Sequence, residues 1–116
     1  MSKTEEATSL LLSQYEQLQK LYIKKNNDLS EIDKELSTIY HFIEGVELNH
    51  VSKSNLLKQL KDILIRRRDI KYERILLSSV IDTLGMPIIK VKNAYAKAKN
   101  KHQEILELSK KTFETK

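Results

Sequence analysis

Residues 11–43 read LLSQYEQLQKLYIKKNNDLSEIDKELSTIYHFI, and the spacing of the apolar residues in this stretch predicts the architecture of the chain. Alternating steps of four and three residues through it pick out ten positions, nine of which are apolar. That alternation is typical of a helix that packs along one narrow stripe against other helices. It predicts a first helix over residues 4–44 with a stripe that must be covered. The first stripe consists of Leu11, Tyr15, Leu18, Tyr22, Lys25, Leu29, Ile32, Leu36, Ile39 and Ile43.

The composition favours a few long helices with short connections. Among 116 residues there are only two glycines and one proline, too few for the turns of a sandwich, a barrel or a doubly wound sheet. Cysteine is absent, which excludes disulfides and thiol chemistry and is compatible with a reducing cytoplasm. No apolar run reaches the roughly 18 residues that span a bilayer. We therefore expect an all-α protein of the cytoplasm with no role for a membrane.

Two further stripes predict two further helices, over residues 53–84 and 87–111. Gly45 is expected to end the first helix by taking a positive φ, and Gly85 followed by Pro87 predicts the second break. The expected architecture is an antiparallel three-helix bundle, or coiled-coil hairpin, in a single domain over residues 1–116. The second stripe is Leu56, Leu60, Ile63, Arg67, Ile70, Arg74, Leu77, Ile81 and Leu84, and the third is Ile88, Val91, Tyr95, Ala98, His102 and Ile105.

The net charge of +5 is spread unevenly along the chain. Residues 1–44 carry five lysines and eight acidic residues, whereas residues 85–116 carry eight lysines and three acidic residues. An acidic first helix would attract the basic remainder in a hairpin, and the last third keeps a positive excess for an acidic partner.

The first stripe also predicts self-association, because a weak third stripe cannot cover a helix roughly 60 Å long. The residues expected in that contact are Leu11, Tyr15, Leu18, Tyr22, Leu29 and Ile32. Lys25 interrupts the stripe and has two interpretations. It either sets the register of a helix pair or extends its stem along the stripe towards water.

The triplet Arg66, Arg67 and Arg68 has two interpretations. Arg66 and Arg68 could contact phosphate or an acidic partner. Three consecutive helical residues point in different directions, however, and an antiparallel hairpin would set the triplet level with residues 29–31, among the acidic residues of the first helix. Pairing within the molecule is therefore the favoured interpretation.

Residues 80–101 resemble the centre of a helix-turn-helix, with Gly85 in the turn and apolar residues on both sides. The helix that follows would then face DNA. Ile81 stands where close helix crossing favours a small residue, and this helix lacks arginine, the commonest specific base reader. The alternative is a solvated lysine face. The lysines proposed for partner binding are Lys90, Lys92, Lys97, Lys99 and Lys101.

Catalysis and metal binding have little support. His41 and Glu44 share one helical face, which is half of an acid–base or metal arrangement, but only His50 could join them nearby. No glycine-rich nucleophile or phosphate loop is present. We expect no enzyme activity, no catalytic residue, no cofactor and no metal.

The segments Glu35–Glu44 and Leu64–Glu73 resemble short helical proteins encoded by phages and prophages of low-GC Gram-positive bacteria. The resemblance covers a third to a half of the chain. It implies a phage origin and a location in the host cytoplasm, and it assigns no functional residue.

Two functions are expected from these observations. The first is a non-catalytic protein-interaction module that acts as an inhibitor or adaptor on a host protein, including a component of host defence, and that forms a homo-oligomer. The alternative is a small DNA- or RNA-binding regulator that uses residues 80–101. A phage assembly component is a third, structural alternative.

Overall fold

A computed structural model describes residues 2–45 and 53–114 of the chain. Two helices fill this range, α1 over Lys3–Gly45 and α2 over Lys53–Glu114, and the described residues contain no strand. The all-helical prediction is confirmed, and the first helix agrees to within one residue at each end. The predicted loop over residues 45–52, with His50, lies outside the described residues from 46 onwards.

The start of α1 has a side-chain cap. The backbone N–H of Glu5 donates to the Ser2 hydroxyl oxygen at 3.1 Å, and the N–H of Glu6 donates to the Ser2 carbonyl at 3.0 Å. Both glutamates lie in the first turn, where negative charge favours the helix dipole. At the other end Gly45 is the last helical residue and its φ is not positive. The positive φ predicted there is therefore wrong.

The second helix does not stop at Leu84, so the prediction of separate helices over residues 53–84 and 87–111 is wrong. Pro87 lies inside α2, although an interior proline removes one backbone hydrogen bond at a cost of about 3 kcal/mol. Packing outweighs that cost, because Ile88 is only 6% exposed and Leu84 and Val91 are half-buried. With only two helices in the described residues, the three-helix bundle is not found.

The chain divides into two compact units, one of which is Gln17–Val80. In this unit α1 and α2 run antiparallel, since Lys25 contacts Glu73 whereas Glu35, further along α1, contacts the earlier Arg66. Its core consists of Leu29, Ile32 and Ile63, with Leu36, Ile39 and Ile70 packed against them. All six residues belong to the predicted first and second stripes. The stripes therefore cover each other within one chain.

The other unit comprises Met1–Glu16 and Ile81–Lys116. Ile88 is its buried apolar residue among the described side chains, and a Cβ built on Gly85 would lie 3.7 Å from the Tyr15 hydroxyl oxygen. The half-buried positions of α1 in this unit are Glu5, Thr8, Ser9, Leu12 and Tyr15.

The predicted first stripe is wrong at Leu11. This residue is 48% exposed, and Leu12 is half-buried in its place. The steps from Leu12 to Tyr15 and from Tyr15 to Leu18 are both of three residues. Such an extra three-residue step interrupts a heptad pattern and turns the covered face around the helix. The third stripe is covered only as far as Tyr95, which is half-buried. Every described side chain over residues 96–111 is exposed.

Candidate interaction surfaces

Two of the three consecutive arginines form ion pairs with carboxylates within the unit Gln17–Val80. Arg67 Nε donates to Asp33 Oδ1 at 2.5 Å. Arg66 donates to two carboxylates, from Nη2 to Glu35 at 3.1 Å and from Nε to Asp62 at 3.0 Å. The favoured interpretation, pairing with the acidic first helix, is confirmed for both residues. Arg66 was also a candidate for partner binding, and here its guanidinium is engaged inside the molecule.

Lys25 forms a further ion pair between the two helices. Its Nζ lies 2.7 Å from Glu73 Oε2, and its side chain is 22% exposed. The hydrogen bond to Glu73 and the Glu73 charge raise the pKa of Lys25 against the opposing effect of desolvation. A stripe position filled by a cation is thus matched to one carboxylate on the opposite helix. This contact agrees with the register-setting interpretation, since a shift of the helices would leave the cation unpaired.

Arg68 differs from its two neighbours. Its side chain is 76% exposed, and its contact with the adjacent Asp69 is long, at 4.0 Å. Arg68 lines a shallow groove of about 470 Å³ on α2, together with Leu57, Leu60, Lys61, Leu64 and Ile65. The guanidinium therefore lies beside apolar surface that α1 does not cover.

The groove belongs to a longer apolar surface, which we call the outer face of α2. Steps of four and three residues from residue 57 to residue 75 define it, one position around the helix from the covered second stripe. Its apolar side chains are all exposed, and two basic residues alternate with them. The outer face consists of Leu57, Lys61, Leu64, Arg68, Tyr72 and Ile75, with Ile65 and Leu76 beside it.

One stripe per helix was expected from the sequence, so this face of α2 was not predicted. The signal was nevertheless present in the sequence, since Leu57, Leu64 and Ile75 each directly follow a residue of the second stripe. A helix with two apolar stripes can contact two neighbours, and α1 supplies only one of them.

The five lysines predicted for partner binding lie on exposed positions of α2 in the other unit. Lys99 Nζ lies 5.6 Å from the centre of the Tyr95 ring, within range of a cation–π contact. In the part of the chain that the structure describes, no carboxylate lies within ion-pair distance of Lys90, Lys97 or the other three. The helix-turn-helix expected over residues 80–101 is wrong, because α2 has no turn at Gly85.

The residues expected to self-associate are mostly used within the chain. Leu29 and Ile32 are buried against Ile63, whereas Tyr15, Leu18 and Tyr22 are half-buried and Leu11 is exposed. Buried side chains cannot contact a second copy unless the helices separate, so Leu29 and Ile32 cannot form that contact in this conformation.

The candidate acid–base pair is open to solvent. His41 Nδ1 lies 3.7 Å from Glu44 Oε2, and both side chains are more than three-quarters exposed. Among residues 2–45 and 53–114, no group of three or more metal-ligating side chains comes together. His102 lines a separate cavity of about 290 Å³ with Thr4, Glu5, Thr8, Tyr95, Ala98, Lys99 and Gln103.

Neither described helix is both long and apolar enough to cross a bilayer. No protein-family model matches the chain, and no curated protein or solved structure matches it.

Proposed function

We propose that this chain is a non-catalytic protein-interaction module that binds a helix of another protein along the outer face of α2. The observation that carries the proposal is the spacing of exposed apolar side chains on that face. From Leu57 to Ile75 these side chains are seven, eight and three residues apart, which keeps them on one side of α2. An amphipathic helix recognises such a surface through residues one or two turns apart.

The charges on the outer face indicate the chemistry of the partner. Lys61 and Arg68 alternate with leucines, and Arg68 has only a long contact with Asp69. A helix with apolar residues at matching steps and carboxylates beside them would bury the leucines and pair with both cations. Over 20 residues the contact would extend roughly 30 Å.

The identity of the partner rests on the resemblance to short phage proteins. That resemblance supports a host protein as the target and an inhibitor or adaptor as the role, including action on a component of host defence. A second copy of the chain is the competing occupant. Two copies would bring their own basic residues together on this face, which disfavours a homo-oligomer through it.

The experiment combines photocrosslinking with charge reversal. A photoreactive residue at Leu64 should form a discrete adduct with one host protein in cells, whereas the same residue at Leu21, exposed on α1, should not. Lys61→Glu combined with Arg68→Glu should remove the adduct. Lys20→Glu with Lys24→Glu changes the net charge equally on exposed positions of α1 and should leave it intact.

Three results would refute the proposal. One is an adduct of equal yield from both positions, and another is loss of the adduct in the control variant as well. The third is an adduct only with a second copy of the chain, together with a dimer mass in light scattering of the protein alone. That outcome would assign the face to self-association.

A further inference from the structure

The segment of α2 between Asp82 and Glu104 combines two properties that occur nowhere else on the described surface. It contains no acidic residue and five lysines, and all five are exposed. In the unit Gln17–Val80, by contrast, Lys25, Arg66 and Arg67 have carboxylate partners. The positive charge of this segment is therefore free for another molecule.

The lysines flank α2 on both sides. Successive residues of a helix are about 100° apart, and the half-buried Val91 and Tyr95 define the side that faces α1. Asn93 and Asn100, seven residues apart and both exposed, lie on the opposite side. Between these two sides, one flank carries Lys90, Lys97 and Lys101, and the other carries Lys92 and Lys99.

These dimensions match the major groove of B-form DNA. A helix with its side chains is about 10–12 Å across, and the groove is about 12 Å wide. Lys90 and Lys97 are about 10.5 Å apart along the axis, as are Lys92 and Lys99, so each flank can follow one phosphate backbone. The inserted side carries asparagine, a side chain that forms two hydrogen bonds with the major-groove edge of adenine.

We propose that residues 89–103 of α2 bind duplex DNA, with the asparagine side in the major groove and the two lysine flanks on opposite phosphate backbones. This activity is independent of the partner helix on the outer face of α2, which belongs to the other compact unit. The helix needs no turn at Gly85 to enter the groove.

Duplex DNA fits better than two other anions. A single acidic helix would contact one flank and leave the other unpaired, because the flanks point in nearly opposite directions. The major groove of duplex RNA is too deep and narrow for side chains to read. The arrangement on two flanks therefore favours B-form DNA over an acidic protein or an RNA duplex.

The first test is salt-dependent binding of the full chain to a fluorescent DNA duplex. If all five lysines contact phosphate, the logarithmic slope of affinity against salt should be about −4.5, which is roughly a 500-fold loss between 50 and 200 mM. Lys90→Gln, Lys97→Gln and Lys101→Gln together should reduce the slope to about −1.8. The matched control, Lys20→Gln, Lys24→Gln and Lys34→Gln on exposed positions of α1, should keep the original slope.

The second test addresses the groove. A duplex whose thymines carry a bulky C5 substituent has a filled major groove, so binding should weaken at least ten-fold, whereas a minor-groove ligand should not compete. No binding at 50 mM salt, an equal loss in the control variant or full binding to the modified duplex would overturn the proposal. Equal affinity for duplex RNA, or equal competition by polyglutamate, would also overturn it.

Discussion

Ile32→Ala should destabilise the chain far more than Ile23→Ala, although both change the same residue type in the same helix and the same compact unit. Ile32 is 4% exposed and belongs to the core with Leu29 and Ile63, whereas Ile23 is 60% exposed. Comparing the two variants therefore isolates the free energy of unfolding that α2 contributes by covering the first stripe.

The magnitudes follow from burial. Ile→Ala removes three carbon groups, worth about 0.8 kcal/mol each when buried, and alanine returns about 0.4 kcal/mol of helix propensity. For Ile32 we expect a loss of about 2–3 kcal/mol once a residual cavity is included. For Ile23, with less than half the burial, we expect no more than about 0.5 kcal/mol.

The assay is urea unfolding followed by circular dichroism at one protein concentration. Equal losses in the two variants would mean that α2 does not shield the first stripe. A loss below about 1 kcal/mol at Ile32 would mean the same.

Three further predictions concern the middle of α2 and the ion pair at Lys25. Gly85→Ala should raise the free energy of unfolding by about 0.5–1 kcal/mol, because its Cβ would make ordinary contact with the Tyr15 hydroxyl and no positive φ is required; destabilisation would instead indicate a turn. Pro87→Ala should raise the melting temperature, since it restores a hydrogen-bond donor within a continuous helix, and a lower melting temperature would contradict that continuity. The raised pKa of Lys25 means that its pairing with Glu73 stabilises the fold fully below its unfolded pKa of about 10.4 and is lost as pH rises through the folded value. The difference in unfolding free energy between the wild type and Lys25→Met should therefore be present at pH 9 and decrease as the pH rises above about 10.4.

The covered faces of both helices could be predicted from spacing alone. Leu29, Ile32 and Ile63 were all stripe positions, and pairing of Arg67 with the acidic helix followed from the register of an antiparallel hairpin. Long helices with few glycines have few alternatives, so the heptad pattern was sufficient to identify the core.

The break at Gly85 was predicted from local signals that tertiary packing overrode. Glycine and proline disfavour an isolated helix, but the spacing from Leu84 to Ile88 to Val91 continues the pattern without a shift. That continuity was visible in the sequence and outweighs the local signals when the apolar side chains are buried.

The candidate surfaces were harder to predict than the core. Val91 and Tyr95 were already in the predicted third stripe, so the covered side of this segment could be predicted, but the structure was needed to show that the lysines lie on a helix that continues through Gly85. Arg66 and Arg68 lie on either side of Arg67 in the sequence. Only the structure shows that Arg66 is paired within the molecule whereas Arg68 is exposed.

In the unit Gln17–Val80, α1 packs antiparallel against α2 of the same chain, and distances between spin labels measure this packing. The chain has no cysteine, so Asn27→Cys can be paired with either Tyr72→Cys or Lys53→Cys. The Asn27–Tyr72 distance should be shorter by more than about 10 Å, because residue 53 lies some 28 Å further along the helix. It should persist when labelled protein is diluted with excess unlabelled protein before refolding. A shorter Asn27–Lys53 distance, or loss of the short distance on dilution, would contradict the account.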